Sequence, residues 1–479
     1  MEELTPQEYR SLLRGALPTS YDSNTISPDP RSLFTPQAHR RALDPDVTVV
    51  KGGRGVGKTV WFQALQDDEL REIAAEEYRL PQLRRVRAFP GFGADQSESY
   101  PRQRTLEDLL QRANAKIIWE TVVLKALGHP ELQSGKWSER VEWIRDHAED
   151  TDEWLIRADQ DADSTGTTKL FLFDALEWLH SNRDHADQLT IGMLQLALDL
   201  RITTRNLRAK VFIRHDWLDK LQLNFSDASK ILSNQADLQW PRSNLYGLLF
   251  HYLGNADDEH SATFRNMTGA WTSSSSRFLP PEPLLGDPDR QHTAFVSIAG
   301  PYMGPDRRRG HTYTWVPNHL ADGAGQVSPR SFLNALRTAT ENSEDQHPSH
   351  AFALHWEPIK QGVQSASSMR LKEITDDINW VPTTIDPLRG RQVPIEQSEV
   401  EACWQRAEVQ SDLAALQQKS PDDESPAGPR DLRPGKLIDE LIELGIMTRR
   451  KDGRLDLPDI YRIAFGLGRK GGVPRVRQS

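Results

Sequence analysis

Residues 52–59 read Gly-Gly-Arg-Gly-Val-Gly-Lys-Thr and follow the largely β-branched run Val47-Thr48-Val49-Val50. The spacing is Gly-x4-Gly-Lys-Thr, entered from a strand pattern and left into a helical one, which is the context of a phosphate-binding P-loop. Each residue type has a reason. Gly52, Gly53, Gly55 and Gly57 reach backbone angles that turn the N–H groups of the loop inward as an anion nest, with Arg54 and Val56 completing the cradle. The following helix points its positive dipole end at the same place. Lys58 is placed to neutralise β- and γ-phosphates, and the Thr59 hydroxyl to hold Mg²⁺. No Asn-Lys-x-Asp element for reading guanine occurs in the chain, so the implied ligands are ATP and Mg²⁺.

Phosphate chemistry of this kind needs an acidic element as well. The stretch Lys169-Leu-Phe-Leu-Phe-Asp174-Ala-Leu-Glu177 is a continuous apolar run ending in a carboxylate. A buried parallel strand reads this way, and the C-terminal ends of such strands face the site. Asp174 is therefore a second Mg²⁺ ligand beside Thr59, or alternatively a helix N-cap. Glu177, three residues on, is placed to orient an attacking water, or is a solvated helix residue. The next apolar strand ends in Arg214-His215-Asp216. Arg214 either senses the γ-phosphate or pairs with Asp216. Arg330 follows Pro329 in the first turn of an expected helix, where a cation opposes the helix dipole. A phosphate nearby would remove that conflict, so Arg330 is a candidate nucleotide contact from a second subdomain; the alternative is a solvated arginine. Arg307-Arg308-Arg309 reads as a solvated loop or an arginine finger for a neighbouring subunit. His347 and His350, with Pro348 between them, read as a surface loop.

The elements that must position these residues follow from periodicity. The chain has 479 residues, 37% of them hydrophobic, enough to bury a sizeable core. Its single cysteine, Cys403, excludes an intramolecular disulfide and a cysteine-based metal site. No apolar run is long enough to span a bilayer, the N-terminus lacks the apolar region of a signal peptide, and a cytoplasmic location is expected. Residues 1–45 are expected to wrap the following domain. An ATP-binding core is expected over 46–255, built of strand, helix and strand in alternation and hence on a parallel sheet. Within it, 105–158 reads as helical, 157–168 as an acidic loop, 191–209 as a helix and 211–213 as a strand. Residues 256–416 form a helical and loop-rich subdomain, loop-rich over 255–310, with a helix starting near Ser328. Residues 417–434 are a Pro-rich linker. Residues 435–479 read helix, strand, Asp452-Gly453 turn, strand, helix, the order of a winged-helix module. The fold class is thus α/β: a P-loop NTPase core with a parallel sheet, a helical subdomain and a C-terminal winged helix.

Charge is unevenly spread. The net charge is −10, yet residues 430–479 hold twelve Lys/Arg against seven Asp/Glu. A basic C-terminal module on an acidic body makes nucleic acid a possible partner of 435–479, although the overall charge argues against a general nucleic-acid coat.

The motifs Gly-Gly-Arg-Gly-Val-Gly-Lys-Thr and Phe-Leu-Phe-Asp-Ala-Leu-Glu-Trp-Leu, followed by Val-Phe-Ile-Arg-His-Asp-Trp, resemble the STAND branch of AAA+-related P-loop ATPases, near the KAP group. Residues 223–232, Leu-Gln-Trp-Pro-Arg-Ser-Asn-Leu-Tyr, the segment around Ser328 and the stretch from Asp452 to Gly472 extend the resemblance to bacterial ATPases over most of the chain from residue 46. Asp174 and Glu177 match the acidic spacing of that family. The resemblance implies an ATP-hydrolysing switch or scaffold in signalling or anti-phage defence. It would be a homo-oligomer, or act with a separate effector protein, and ATP would clamp its core against the Arg330 subdomain. The long repeat array of common STAND proteins is absent. The competing expectation is a nucleic-acid-stimulated ATPase, a loader or motor using the winged helix.

Overall fold

In the strand Thr168–Phe173, Leu170 and Leu172 pack into one apolar cluster, with Trp61, Phe62 and Tyr78. Phe171 and Phe173 enter another, with Trp119, Leu189 and Met193. A strand buried on both faces belongs to a parallel sheet covered by helices on each side. The computed structural model, which describes residues 3–19, 27–95, 97–219, 221, 223, 225–274, 276–418 and 428–471, shows that sheet. Its strands are β1 (Val49–Lys51), β2 (Val86–Phe92), β3 (Thr168–Phe173), β4 (Leu207–Ile213) and β5 (Gln235–Asp237). They lie in the order β2-β3-β4-β1-β5, and every pairing is parallel. One face is covered by the helices Lys58–Gln66 and Asp68–Glu77, the other by Ala115–Ala126 and Arg183–Thr203. The last two approach closely at Gly192, where a Cβ would meet the Ala115 Cβ at 2.5 Å.

The chain divides into two compact units, 22–239 and 1–21 with 240–479. The expected N-terminal wrap is thereby divided. Leu33, Ala42 and Leu43 join the apolar cluster of the sheet unit. The helix Pro6–Ala16 belongs to the other unit. There the buried Arg10 guanidinium donates to the carbonyls of Ala353 (2.8 Å), Pro348 (2.9 Å), His347 (3.0 Å) and Phe352 (3.3 Å). A helix this short depends on such packing to form at all.

Three local expectations differ from the structure. The acidic loop expected over 157–168 is helical to Thr165, within the helix Ala148–Thr165. Ala158 and Ala162 are buried on its inner face, and Asp159 accepts hydrogen bonds from the N–H groups of Arg205 and Asn206. Leu207, read as helical, opens β4, because the preceding helix ends at Thr203. The loop-rich span 255–310 contains the helices His260–Thr268 and Pro288–Ala299. Asp287 caps the second of these by accepting from Asp289 N (2.9 Å), with Pro288 at the first helical position. Within the span read as loop-rich, Asp287-Pro288 is thus a helix start.

The 1–21/240–479 unit is mainly helical. Its longest helices are Pro329–Gln346, beginning where the sequence placed it, and Trp356–Asp377. The C-terminal module shows the expected order. The helix Pro434–Glu443 leads through Gly445 (φ 70°) into the antiparallel pair Thr448–Arg449 and Leu455–Asp456, turned at Gly453 (φ 88°). Residues 419–427 of the expected linker and 472–479 of the basic tail lie outside the described residues. No helix among the described residues is long and apolar enough to cross a membrane.

Lys210 of β4 is fully buried in the sheet unit. Its amine donates to the carbonyls of Ala42 (2.8 Å), Asp44 (2.9 Å) and Val47 (2.7 Å), which ties the segment before β1 to the sheet. Lys210→Met would leave those carbonyls without that donor. We expect a loss of about 2–3 kcal/mol of stability, read as a lower urea midpoint of the full chain; an unchanged midpoint would refute the anchoring role.

Candidate nucleotide site

The P-loop lies between β1 and the helix Lys58–Gln66. Gly52 N donates to Ile213 O (3.1 Å), so the loop starts against the end of β4. A Cβ on Gly52 would come within 2.5 Å of Val56 Cγ2, and Gly57 caps the helix at φ 100°. The loop therefore requires glycine at both places. The rear of the helix is fixed by Trp61, whose indole N–H donates to His39 Nδ1 (3.0 Å). That bond makes Nδ1 the acceptor, so Nε2 carries the proton toward Gln239 O (3.1 Å). Burial holds His39 neutral, with its pKa pushed down to about 3.

Lys58 Nζ donates to the loop carbonyls of Gly52 (3.1 Å) and Gly53 (2.7 Å). Burial lowers its pKa to about 8, against the opposing charges of Asp174, Glu177 and Asp216. Thr59 Oγ1 donates to Asp174 Oδ2 at 2.7 Å. Asp174 follows β3 directly, is 3% exposed, and its N–H donates to Phe92 O (3.0 Å). The side chain of Asp174 turns to Thr59 and caps no helix, so the N-cap role weighed from the sequence is not present. Burial raises its pKa to about 6, although Thr59 and Lys58 favour the charged form. A hydroxyl and a carboxylate beside a lysine make a hard oxygen donor set suited to Mg²⁺. Together with the glycine cradle, these residues fit a Mg²⁺-bound nucleotide.

After Asp174 the backbone turns sharply. Ala175 adopts φ 56°, a left-handed conformation unusual for a residue with a side chain, and one 3₁₀ turn, Leu176–Trp178, follows. Strain of this kind gathers at functional sites. The turn leaves Glu177 exposed, and the charge of Glu177 acts on both Lys58 and Asp174.

Arg214 leaves the end of β4. Its Nε and Nη2 donate to the two oxygens of Asp216 at 3.0 and 2.9 Å, so the ion pair weighed from the sequence is present. Arg214 still adjoins the loop, through Ile213 and through its electrostatic effect on Lys58. Arg330 belongs to the other unit. Its guanidinium donates to Glu373 Oε1 (2.9 Å), and Glu373 also accepts from Arg370 (3.1 Å). A solvated arginine is thus replaced by a partly buried ion-pair network that includes Tyr461. Arg307–Arg309 forms an exposed 3₁₀ turn capped by Asp306. His347 and His355 stack with ring centroids 3.7 Å apart, and their nitrogens group with a carboxylate oxygen of Glu357. His355 Nδ1, however, accepts from Glu357 N (3.2 Å).

The sequence reading missed Asp237. It ends β5 and accepts from His215 Nε2 (2.8 Å), which joins the strand ends on both sides of β1. Three residues, Gln-Ala-Asp, carry no period by which such a short edge strand could be recognised. It also missed Arg183, which starts the helix Arg183–Thr203 and lies over Trp217.

No family model matches the chain, and no curated protein matches it. Among solved structures it is similar to the ORC2 protein of Aeropyrum pernix in ADPNP–ADP complexes, at 12% identity over 88% of this chain and 86% of that one, with a TM-score of 0.40. It is also similar to the ORC1 protein of Aeropyrum pernix in complex with DNA (14% identity, 95% and 94%, TM-score 0.34) and to Cdc6p from Pyrobaculum aerophilum (12%, 87% and 84%, TM-score 0.28). These proteins are described as ORC and Cdc6 proteins, not as STAND or KAP proteins.

The carboxyl of Asp174 titrates near 6 in the fold and near 3.8 in the unfolded chain. The fold binds more protons between those values, so stability falls as pH rises through that window. At pH 7 the buried charge costs about 2–3 kcal/mol. Asp174→Asn should therefore raise the melting temperature at pH 7.5 and lose that gain near pH 4, as scanning calorimetry would show. A variant no more stable than the parent at pH 7.5 contradicts this account.

Proposed function

We propose that the chain binds ATP with Mg²⁺ in the P-loop of its 22–239 unit and hydrolyses it. The observation that carries this reading is the contact of Thr59 with Asp174 at 2.7 Å, beside Lys58 and at the end of a doubly buried parallel strand. Backbone N–H groups of residues 52–57 would cradle the phosphates. Lys58 exchanges its loop carbonyls for β- and γ-phosphate oxygens, which restores its charged form against burial. Thr59 and Asp174 would hold Mg²⁺, which supplies charge neutralisation at the phosphate oxygens when bound. Glu177 orients the attacking water from its exposed turn, and Arg214 stabilises the terminal phosphate. Arg330 has no part in this proposal, since Glu373 accounts for it within its own unit.

For the output, the reading we favour is an ATPase stimulated by nucleic acid. Its support is the helix-and-hairpin module, whose hairpin carries Arg449, Arg450, Lys451 and Arg454 against Asp452. Part of that charge is committed internally: Arg450 pairs with the buried Asp456, and Arg454 with Asp452. Arg449 and Lys451 are exposed. The alternatives, a switch in signalling or anti-phage defence, a homo-oligomer or a separate effector, rest on the STAND resemblance alone.

Lys58→Ala should lower ATP affinity at least about a hundredfold. Glu177→Gln should keep binding and lower the hydrolysis rate about a hundredfold or more. Both are read by nucleotide titration and phosphate release; a parent chain that binds no ATP refutes the proposal. Single-stranded and duplex DNA and RNA, added to the same assay, should raise the rate. That rise should weaken steeply with salt and shrink in Lys451→Ala. A rate unmoved by every nucleic acid rejects this output and leaves the ATPase standing.

A further inference from the structure

Beside the P-loop, one carboxylate lies near two guanidinium groups. Asp216 is in the short helix His215–Leu218 that follows β4, and it accepts both bonds from Arg214, at 3.0 and 2.9 Å. The next residue, Trp217, donates its indole N–H to Asp187 (2.8 Å). The Trp217 ring lies under Arg183, with the Arg183 Cζ 3.8 Å from the ring centroid. Arg183 Nε donates to the same Asp187 oxygen at 3.1 Å. Arg183 is thus held within electrostatic reach of both Asp216 and Arg214, and each of those charges also acts on Lys58.

An arginine whose Nε and Nη2 are clamped on a neighbouring carboxylate can turn that same pair of donors on a phosphate only by giving up the carboxylate. The exchange is cheap when the abandoned carboxylate keeps a cation close by, and costly when it is left alone in a partly buried place. Asp216 has a second cation within electrostatic reach in Arg183, which stacks on the adjacent Trp217 ring and is itself paired with Asp187. Arg214 also sits one residue beyond the strand end that receives Gly52 N, so its backbone adjoins the P-loop.

We propose that Asp216 is an exchangeable counter-ion of the nucleotide site. It competes with the terminal phosphate for Arg214, and Arg183 compensates its charge when Arg214 turns to the phosphate. Asp216 and Arg183 are then positioning residues that set how strongly the site prefers a nucleoside triphosphate over a diphosphate. This inference rests on the reading of the site as an ATP site.

The test is calorimetric titration of the full chain with ADP and with a non-hydrolysable ATP analogue, both with Mg²⁺. Asp216→Asn should raise the preference for the triphosphate about three- to tenfold. Arg183→Gln should lower it, because Asp216 then keeps Arg214. The gain should vanish in the double variant Asp216→Asn/Arg214→Gln, an outcome that a merely structural ion pair would not produce. Melting curves accompany each variant, and if Asp216→Asn fails to fold, Arg183→Gln decides alone. A preference unchanged in the folded single variants, or a gain that survives in the double variant, overturns the counter-ion role while leaving the ATP site intact. Failure of the parent chain to bind either nucleotide overturns the underlying reading, and this one with it.

Discussion

Parallel pairing with burial on both faces is the constraint on which the sheet unit depends. Parallel strands all end at one edge, so the chemistry-bearing residues that follow β1, β3, β4 and β5 gather there without being near in sequence. The P-loop leaves β1, Asp174 leaves β3, Arg214 leaves β4 and Asp237 ends β5. Hydrogen bonds fasten this edge. Gly52 N on Ile213 O sets the loop against β4, and Thr59 on Asp174 joins the loop helix to the acidic strand across the intervening β4.

Burial of charge is the cost of that arrangement, and it explains the electrostatics. Lys58 is pulled below its ordinary range and Asp174 above it, both chiefly by burial. Each is disfavoured alone, and each would be relieved by a phosphate or a divalent cation in the same place. Ala175 in a left-handed conformation is a second local cost at the same edge. The fold compensates on its hidden side: Lys210 satisfies three carbonyls before β1, and His39 fixes Trp61 on the P-loop helix.

The other unit uses charge differently. Arg10 gathers four carbonyls of the segment 347–353, Glu373 joins Arg330 to Arg370, and Asp456 and Asp459 hold Arg450, Arg462 and Arg469. Here the basic residues serve the fold of the unit. The surplus of positive charge counted along 430–479 therefore overstates what the module can offer a polyanion, because several of its arginines face inward to acids.

By itself the sequence determined the elements whose signal is local. The Gly-rich loop, the apolar strand ending in Asp174, the helix after Ser328 and the helix–hairpin at the C-terminus were all legible, because backbone sterics and periodicity act within a few residues. The span 255–310 and the acidic run at 157–168 were read as loops, since a cap or a buried alanine stripe is told from a turn only by what packs against it. Only the tertiary structure decided that Asp174 turns to Thr59, that Arg214 is clamped by Asp216, that Arg330 is held by Glu373 and that Asp237 reaches His215. Those choices depend on which strand ends become neighbours and which charges share a dry space, and sheet order and burial settle both over separations that no local pattern spans.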